Sequence, residues 1–414
     1  MWRAALEAVR PSACLPGRWP PAPTGRLAVI ACGKAAAGMA AEAAAYYGSR
    51  CEGLVILPAD QKTAGLPGFR FLPASHPLPD ARSVAAARAA LKLATGLAGD
   101  DLLLVLLSGG GSSLMCLPVA GVTLADKQSL SRQLLASGAT IQEINCVRKH
   151  LSAIKGGRLA RASAAPVVTL AISDVPGDDP GTIASGPTVP DDSTLADARN
   201  VLDRYRIDAP AAIRAALSDP ANESPRREAG IDRHRFRRVA GGMTALRAAA
   251  DWCRNHGIEP LVLGDRLQGE ASVLARRHAE RALRLAQSGR TACLLSGGET
   301  SVALGPEGGP EQGPSRGKGG RNSEYALALA IALDGHPAIW ALAADTDGID
   351  GSGGHSGARV DPHTLARARR AGLQAGDCLR RHDSAGFFEE VGGLLVEGAT
   401  GTNVNDFRAI LINP

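Results

Sequence analysis

Residues 101–113 read Asp-Leu-Leu-Leu-Val-Leu-Leu-Ser-Gly-Gly-Gly-Ser-Ser. An apolar run of strand length leads straight into Ser108, Gly109, Gly110, Gly111, Ser112 and Ser113. Glycines lack the Cβ that keeps a ligand off the backbone, and successive N–H groups in such a turn form an anion-binding nest. The segment is a candidate phosphate cradle, with a plain chain reversal as the alternative. Gly33-Lys34 follows another apolar run. A lysine there can meet a phosphate at a helix N-terminus, whereas without an anion a cation is unfavourable at that end; the alternative is a surface lysine. Asp345, Asp347 and Asp350 stand among Thr346, Gly348 and Gly351 after a third apolar run. Hard oxygens in that setting suit Mg²⁺, which takes one or two carboxylates plus phosphate oxygens; an Asp-Gly turn is the alternative. Asp174, in Ser173-Asp174-Val-Pro-Gly-Asp178, marks a second acidic strand end, which suggests a shared metal or a catalytic base. Arg321 opens an apolar helix just past a glycine-rich stretch and can bring a guanidinium to a phosphoryl group, unless it is an ordinary first-turn arginine. His76, in His-Pro-Leu-Pro-Asp, is either a substrate contact or part of a turn.

These groups need a scaffold that brings strand ends together. Leu27–Cys32, Gly53–Leu57, Leu102–Leu107 and Val167–Ile172 read as strands, with helical stretches at about 35–46, 83–97 and 123–135 and a Thr140/Glu143 capping box between them. Such alternation predicts an α/β domain with a parallel sheet, whose ligands bind beyond the carboxyl ends of the strands. Gly33, Ser108 and Ser173 should then share one rim. Residues 218–235 are rich in Pro, Asn, Ser and charge, so one domain is expected over 1–230 and a smaller α/β domain over 236–414. In the latter, Ser296-Gly297-Gly298-Glu299 repeats the pattern of a strand running into glycines, and Gly305–Gly320 has the composition of a lid.

With 46 Lys+Arg against 41 Asp+Glu and only 3% aromatic residues, neither a basic footprint nor a base-stacking platform is present. No nucleic-acid partner is expected. No apolar run reaches the ~20 residues of a membrane helix, and Met1–Arg26 lacks the apolar core of a signal peptide, so a cytoplasmic protein without a membrane partner is expected. The eight cysteines form no Cys-x-x-Cys pair and should be reduced and buried. The Walker phosphate-loop, nucleophile-elbow and Gly-x-Gly-x-x-Gly patterns all fail in this chain.

Taken in order, the motifs form a recognisable set. They are Gly33-Lys34-Ala35-Ala36, His76-Pro77-x-Pro79-Asp80, Ser108–Ser113 and Arg148-Lys149-His150-Leu-Ser-x-x-Lys155-Gly-Gly-Arg158, followed by Ser173–Asp178, Ser185-Gly-Pro-Thr188 and Ser296-Gly-Gly-Glu299-Thr300. Gly319-Gly320-Arg321-Asn322-x-Glu324, Asp345–Gly351 and Thr402-Asn403-Val-Asn405-Asp406 complete it. The set resembles the class II glycerate kinases, the glycerate 2-kinase family with a DUF4147 N-terminal domain and a C-terminal MOFRL domain, over nearly the whole chain. That resemblance implies a Rossmann-like first domain, a smaller MOFRL-type α/β domain, a site in the cleft between them, and ATP- and Mg²⁺-dependent phosphorylation of D-glycerate to 2-phosphoglycerate. It implies Lys34 and Arg321 as catalytic residues.

The roles expected on that basis put nucleotide at Ser108–Ser113, Asp174, Ser296, Gly297, Gly298, Glu299 and Asn322. Substrate falls to His76, Arg148, Lys155 and Arg158, and the metal to Asp345, Asp347 and Asp350. Some relatives carry the name hydroxypyruvate reductase, so a nicotinamide-dependent reductase is the alternative, and a non-catalytic nucleotide-binding protein a third. Phosphorylation at the 3-hydroxyl and assembly as a homodimer stay open at this point.

Overall fold

Two strands are apolar at every position because both their faces are covered. These are β1 (Leu27–Cys32) and β4 (Leu102–Leu107), each buried along its whole length. They lie side by side and parallel, in register from Leu27 opposite Leu102 to Cys32 opposite Leu107. With β2 (Cys51–Pro58), β3 (Phe69–Ala74), β5 (Val167–Ile172) and β6 (Arg235–Ala240) they form a sheet of order β3-β2-β1-β4-β5-β6. Neighbours are parallel from β3 through β5. The chain leaves β1 towards β2 on one side, while β4 lies on the other. The turns after β1 and β4 therefore sit at the topological switch point, where ligands of open α/β sheets bind.

The computed structural model describes residues 1–226, 234–303, 317–351 and 354–414. Within them the chain divides into two compact units, one of 11–239 and one of 1–10 with 240–414. The expectation of a first domain running unbroken from residue 1 to 230 differs from this division at both ends. Helix Trp2–Ala8 packs against helix Gly242–Asn255, Trp2 lies 5.5 Å from the Phe407 ring, and Thr402 Oγ1 donates to the Val9 carbonyl. At the other end β6 completes the first sheet, so that sheet extends past residue 236. Most of the expected lid, 305–316, lies outside the described residues.

The second unit holds β7 (Glu259–Glu270), β8 (Ala292–Ser301), β9 (Ile339–Asp345), β10 (Gly357–Val360), β11 (Leu394–Leu395) and β12 (Asp406–Ile412), in the order β11-β10-β9-β12-β8-β7. Among the described residues of this unit only β7 and β8 pair in parallel; β12 runs antiparallel to both β8 and β9. Helix Arg321–Leu333 is buried on all sides at its centre, so its sequence is apolar around the whole circumference. All eight cysteines are free and buried. Among the described residues no helix is long and apolar enough to cross a membrane.

One buried histidine gives this unit a pH limit. His278 Nδ1 lies 2.7 Å from the Tyr325 hydroxyl. Burial, then the charges of Arg408 and Arg281, lower the imidazole to about 4. In the unfolded chain a histidine titrates near ~6.5. Between those values only the unfolded state takes up the proton, so stability falls as pH drops from about 6.5 to about 4, by about 3 kcal/mol. Urea unfolding across that range should show this slope, and His278→Gln should flatten it.

Candidate active site

In the first unit the predicted rim forms. Gly33 follows β1 with φ +129, and a Cβ there would lie 2.2 Å from Ser108 Oγ and 2.5 Å from Ser108 O. Only glycine allows the two turns to lie this close. Lys34 N donates to the Gly109 carbonyl at 2.9 Å, and Ala35 N to Ser108 Oγ at 2.9 Å. The Ser108 hydroxyl thus ties the β1 and β4 turns together and is buried, while Ser113 Oγ donates to the Gly110 carbonyl. The backbone N–H groups of Gly109, Gly110 and Ser112 have no protein acceptor among the described residues, as an anion nest requires. The His76 ring lies against Gly110, with Cδ2 3.0 Å from where a Cβ would stand. Asp174 follows β5 by two residues, so it belongs to the first unit.

Arg148, Lys155 and Arg158 separate into different roles. Arg158 donates to the carbonyls of Lys149 at 2.9 Å and Asn222 at 2.5 Å, and also reaches Ser224. Those bonds tie the loops around it together. Lys155 is buried, with Nζ 2.6 Å from the Ser112 carbonyl and 2.7 Å from Ser112 Oγ. Burial, then the charge of Arg148 and further on that of Lys127, push its ammonium well below the usual lysine range. Arg148 has no hydrogen bond or ion pair among the described residues.

Lys127 escaped sequence reasoning. It sits in helix Leu124–Ala136 among polar neighbours, which gave no sign of its burial. Its Nζ donates to the Leu151 carbonyl at 2.9 Å, and burial first, then Arg148 and Arg158, bring it down to about 8. No carboxylate pairs with Lys127, Arg148 or Lys155 among the described residues. Cations gathered in this way are costly unless an anion joins them.

The second unit builds its site around Arg321, the first residue of helix Arg321–Leu333. Nε donates to Asp406 at 2.7 Å, Nη1 to Glu299 at 2.8 Å and Nη2 to Asp345 at 2.8 Å. The three carboxylates outweigh burial and raise the guanidinium above its ordinary value. Asp406 is itself held by Arg408, by Thr300 N and by Asn322 Nδ2 at 2.7 Å. Asn322 thus supports Asp406 from inside the fold and is fully buried.

Two expectations change here. Ser296, Gly297, Gly298 and Glu299 are not a loop after a strand but part of its second half: the first three pair with Arg408, Phe407 and Asp406 on β12, and Glu299 with Gln268 on β7. Gly298 permits this, since a Cβ there would lie 2.2 Å from the Leu267 carbonyl on the irregular part of β7. Asp350 accepts from Asn322 N at 2.9 Å, Ser323 N at 2.8 Å and Ser323 Oγ at 2.8 Å. Burial alone would raise its carboxyl, but hydrogen bonds from His355, Asn322 and Ser323 hold it below the usual range. Asp350 therefore caps the helix that carries Arg321, where Gly320 offers no side chain of its own, and both its oxygens are spoken for. Asp345 and Asp347 are buried at the end of β9; Asp345 Oδ1 accepts from Asp347 N, and Asp347 Oδ1 accepts from Ile349 N.

This pairing of a Rossmann-ordered first unit with a mixed-sheet second unit defines a two-part α/β class, and comparison with known proteins agrees. The family model described as a domain of unknown function (DUF4147) matches residues 1–218, and the MOFRL family model matches 292–406. The chain is 36% identical to the D-glycerate 2-kinase of Thermotoga maritima over 99% of this chain and 96% of that protein. The crystal structure of glycerate kinase from that organism superposes with a TM-score of 0.88 at 34% identity, covering 99% of this chain and 97% of that one. A protein of Agrobacterium vitis provisionally named hydroxypyruvate reductase is 47% identical over 99% of this chain and 92% of its own length. The chain belongs to the glycerate 2-kinase family of DUF4147–MOFRL proteins.

Proposed function

We propose that this chain transfers the terminal phosphoryl group of ATP to the 2-hydroxyl of D-glycerate, giving 2-phosphoglycerate. The observation that carries the reading is Lys155 against Ser112 at the backbone nest, with Arg148 and Lys127 in electrostatic reach of it and no carboxylate paired with any of the three among the described residues. A small hydroxy acid presents the carboxylate such a pocket demands, and ATP supplies phosphate oxygens for the N–H groups of Gly109, Gly110 and Ser112. Lys34 adds charge on the same rim.

Phosphoryl transfer asks mainly for positioning and charge neutralisation. Of the three contacts to Arg321, that with Glu299 is the exposed one: the Glu299 side chain is 48% accessible, against 8% for Asp345 and 0% for Asp406. An incoming phosphate displaces Glu299 from Nη1 while Asp345 and Asp406 keep the guanidinium aimed. Among the described residues no group of three or more His, Cys, Asp or Glu is arranged to hold a metal. Asp347 would supply one of the one or two carboxylates Mg²⁺ takes in such sites, and Asp345, whose two oxygens already accept from Arg321 Nη2 and Asp347 N, would join only through its remaining lone pairs. Mg²⁺, when bound, neutralises charge on the phosphates.

An ADP-release assay with D-glycerate tests the reading, and NMR of the product distinguishes the 2- from the 3-phosphate. The Agrobacterium relative keeps a reductase in view, so oxidation of NADH or NADPH by hydroxypyruvate is measured alongside; turnover there alone would replace the kinase. Lys155→Met is expected to raise KM for glycerate about 100-fold, the scale of a lost charged hydrogen bond. The variant also loses the two bonds to Ser112, so its thermal midpoint is measured alongside to separate binding from folding. As pH rises through about 8, Lys127 loses its proton, so KM for glycerate should climb there and the climb should vanish in Lys127→Met.

A further inference from the structure

We propose that Met1, Cys253 and Cys293 form a binding site for one soft monovalent metal ion, Cu(I). Cys253 Sγ lies 3.1 Å and Cys293 Sγ 3.5 Å from Met1 Sδ, and the two thiols hydrogen-bond each other, so all three sulfurs touch. Both thiols are fully buried. Three separate elements converge to deliver them: helix Gly242–Asn255 brings Cys253, β8 brings Cys293, and Met1 enters at the start of helix Trp2–Ala8. The hydrogen bond from Cys293 holds the Cys253 thiol below its ordinary value, with Arg254 adding to the effect, and the Cys293 thiol is raised in turn.

The donor set decides the ion. Thiolates and a thioether are soft ligands that suit Cu(I) and disfavour Mg²⁺ and Ca²⁺. A structural zinc asks for four tetrahedral ligands from Cys, His and carboxylates, and among the described residues no third group of that kind joins the two cysteines. Metal–sulfur bonds of ~2.3 Å in a trigonal plane would set the sulfurs about 4 Å apart. The present contacts of 3.1 and 3.5 Å must open by about 0.9 and 0.5 Å, which the flexible Met1 side chain allows. Met1 also lines an open cavity of about 400 Å³ bordered by Trp340, Arg359 and Leu411, which gives the ion a way in. On binding, each cysteine exchanges its S–H bond for a metal–sulfur bond and releases its proton to solvent; no electron is transferred.

The test uses the full chain, reduced, with the coloured Cu(I)–bicinchoninate complex as competitor and reporter. One equivalent of copper should leave the probe. Cys253→Ser and Cys293→Ser should each weaken uptake about 100-fold, at least the loss seen when a supporting metal contact is removed, whereas Cys51→Ser should not. Should the serine variants fold poorly, Cys253→Ala and Cys293→Ala give the same reading with apolar packing kept. In selenomethionine-labelled protein, X-ray absorption at the copper edge should place a selenium in the first shell. No uptake from the probe, equal affinity in the cysteine variants, or a shell without selenium each overturns the site.

Discussion

Arg321→Lys is expected to lower kcat by about three orders of magnitude while leaving nucleotide affinity within a few-fold, the signature of a charge used in the transition state. The guanidinium makes three separate hydrogen bonds, to Asp406, Glu299 and Asp345. An ammonium keeps the positive charge but presents a point where a planar fork is needed. It can satisfy the two buried carboxylates or meet a phosphate, not both. Alanine is the poorer test, since it leaves Asp345 without its cation and confuses stability with chemistry. Steady-state kinetics with a separate measurement of nucleotide binding decides the matter, and turnover at the parental rate removes Arg321 from the reaction.

Gly33→Ala carries the largest expected effect on stability, above about 4 kcal/mol, because it combines backbone strain with a collision. The φ of +129 lies where side chains are disfavoured, and the added methyl would fall 2.5 Å from a carbonyl oxygen that cannot rotate away. Relief requires the β1 and β4 turns to separate, which breaks the Ala35–Ser108 and Lys34–Gly109 bonds. Denaturant unfolding of the variant measures the loss. A variant with the parental midpoint would mean that the two turns are looser than their hydrogen bonds imply.

The parts of this molecule that read plainly from sequence are those set by local pattern. β1 and β4 are continuous apolar runs because both faces are covered, and the Thr140/Glu143 pair caps its helix reciprocally as the spacing predicts. What stayed hidden depends on partners far along the chain. Ser296–Glu299 looks like a loop until β12, more than a hundred residues later, pairs with it. Asp350 has the spacing of a metal ligand, yet it caps a helix that begins 29 residues earlier. Lys127 is one charge among several on its helix, and its inward course shows only in its bond to the Leu151 carbonyl, 24 residues on. The ordered motif set made the family legible, whereas the division of labour within the basic stretch, with Lys155 inward and Arg158 structural, required coordinates.

The docking of helix Trp2–Ala8 on the second unit sets a timetable for biosynthesis. Its neighbour Phe407 lies on β12, roughly 400 residues downstream. At ribosomal speeds of 5–20 residues per second the helix therefore waits roughly 20–80 s for its seat. Residues 11–239 can complete their own sheet in that interval, while Trp2, Ala5 and Leu6, buried in the finished protein, stay uncovered. Helix Trp2–Ala8 is thus synthesised long before its seat exists and keeps an apolar face uncovered in the interval.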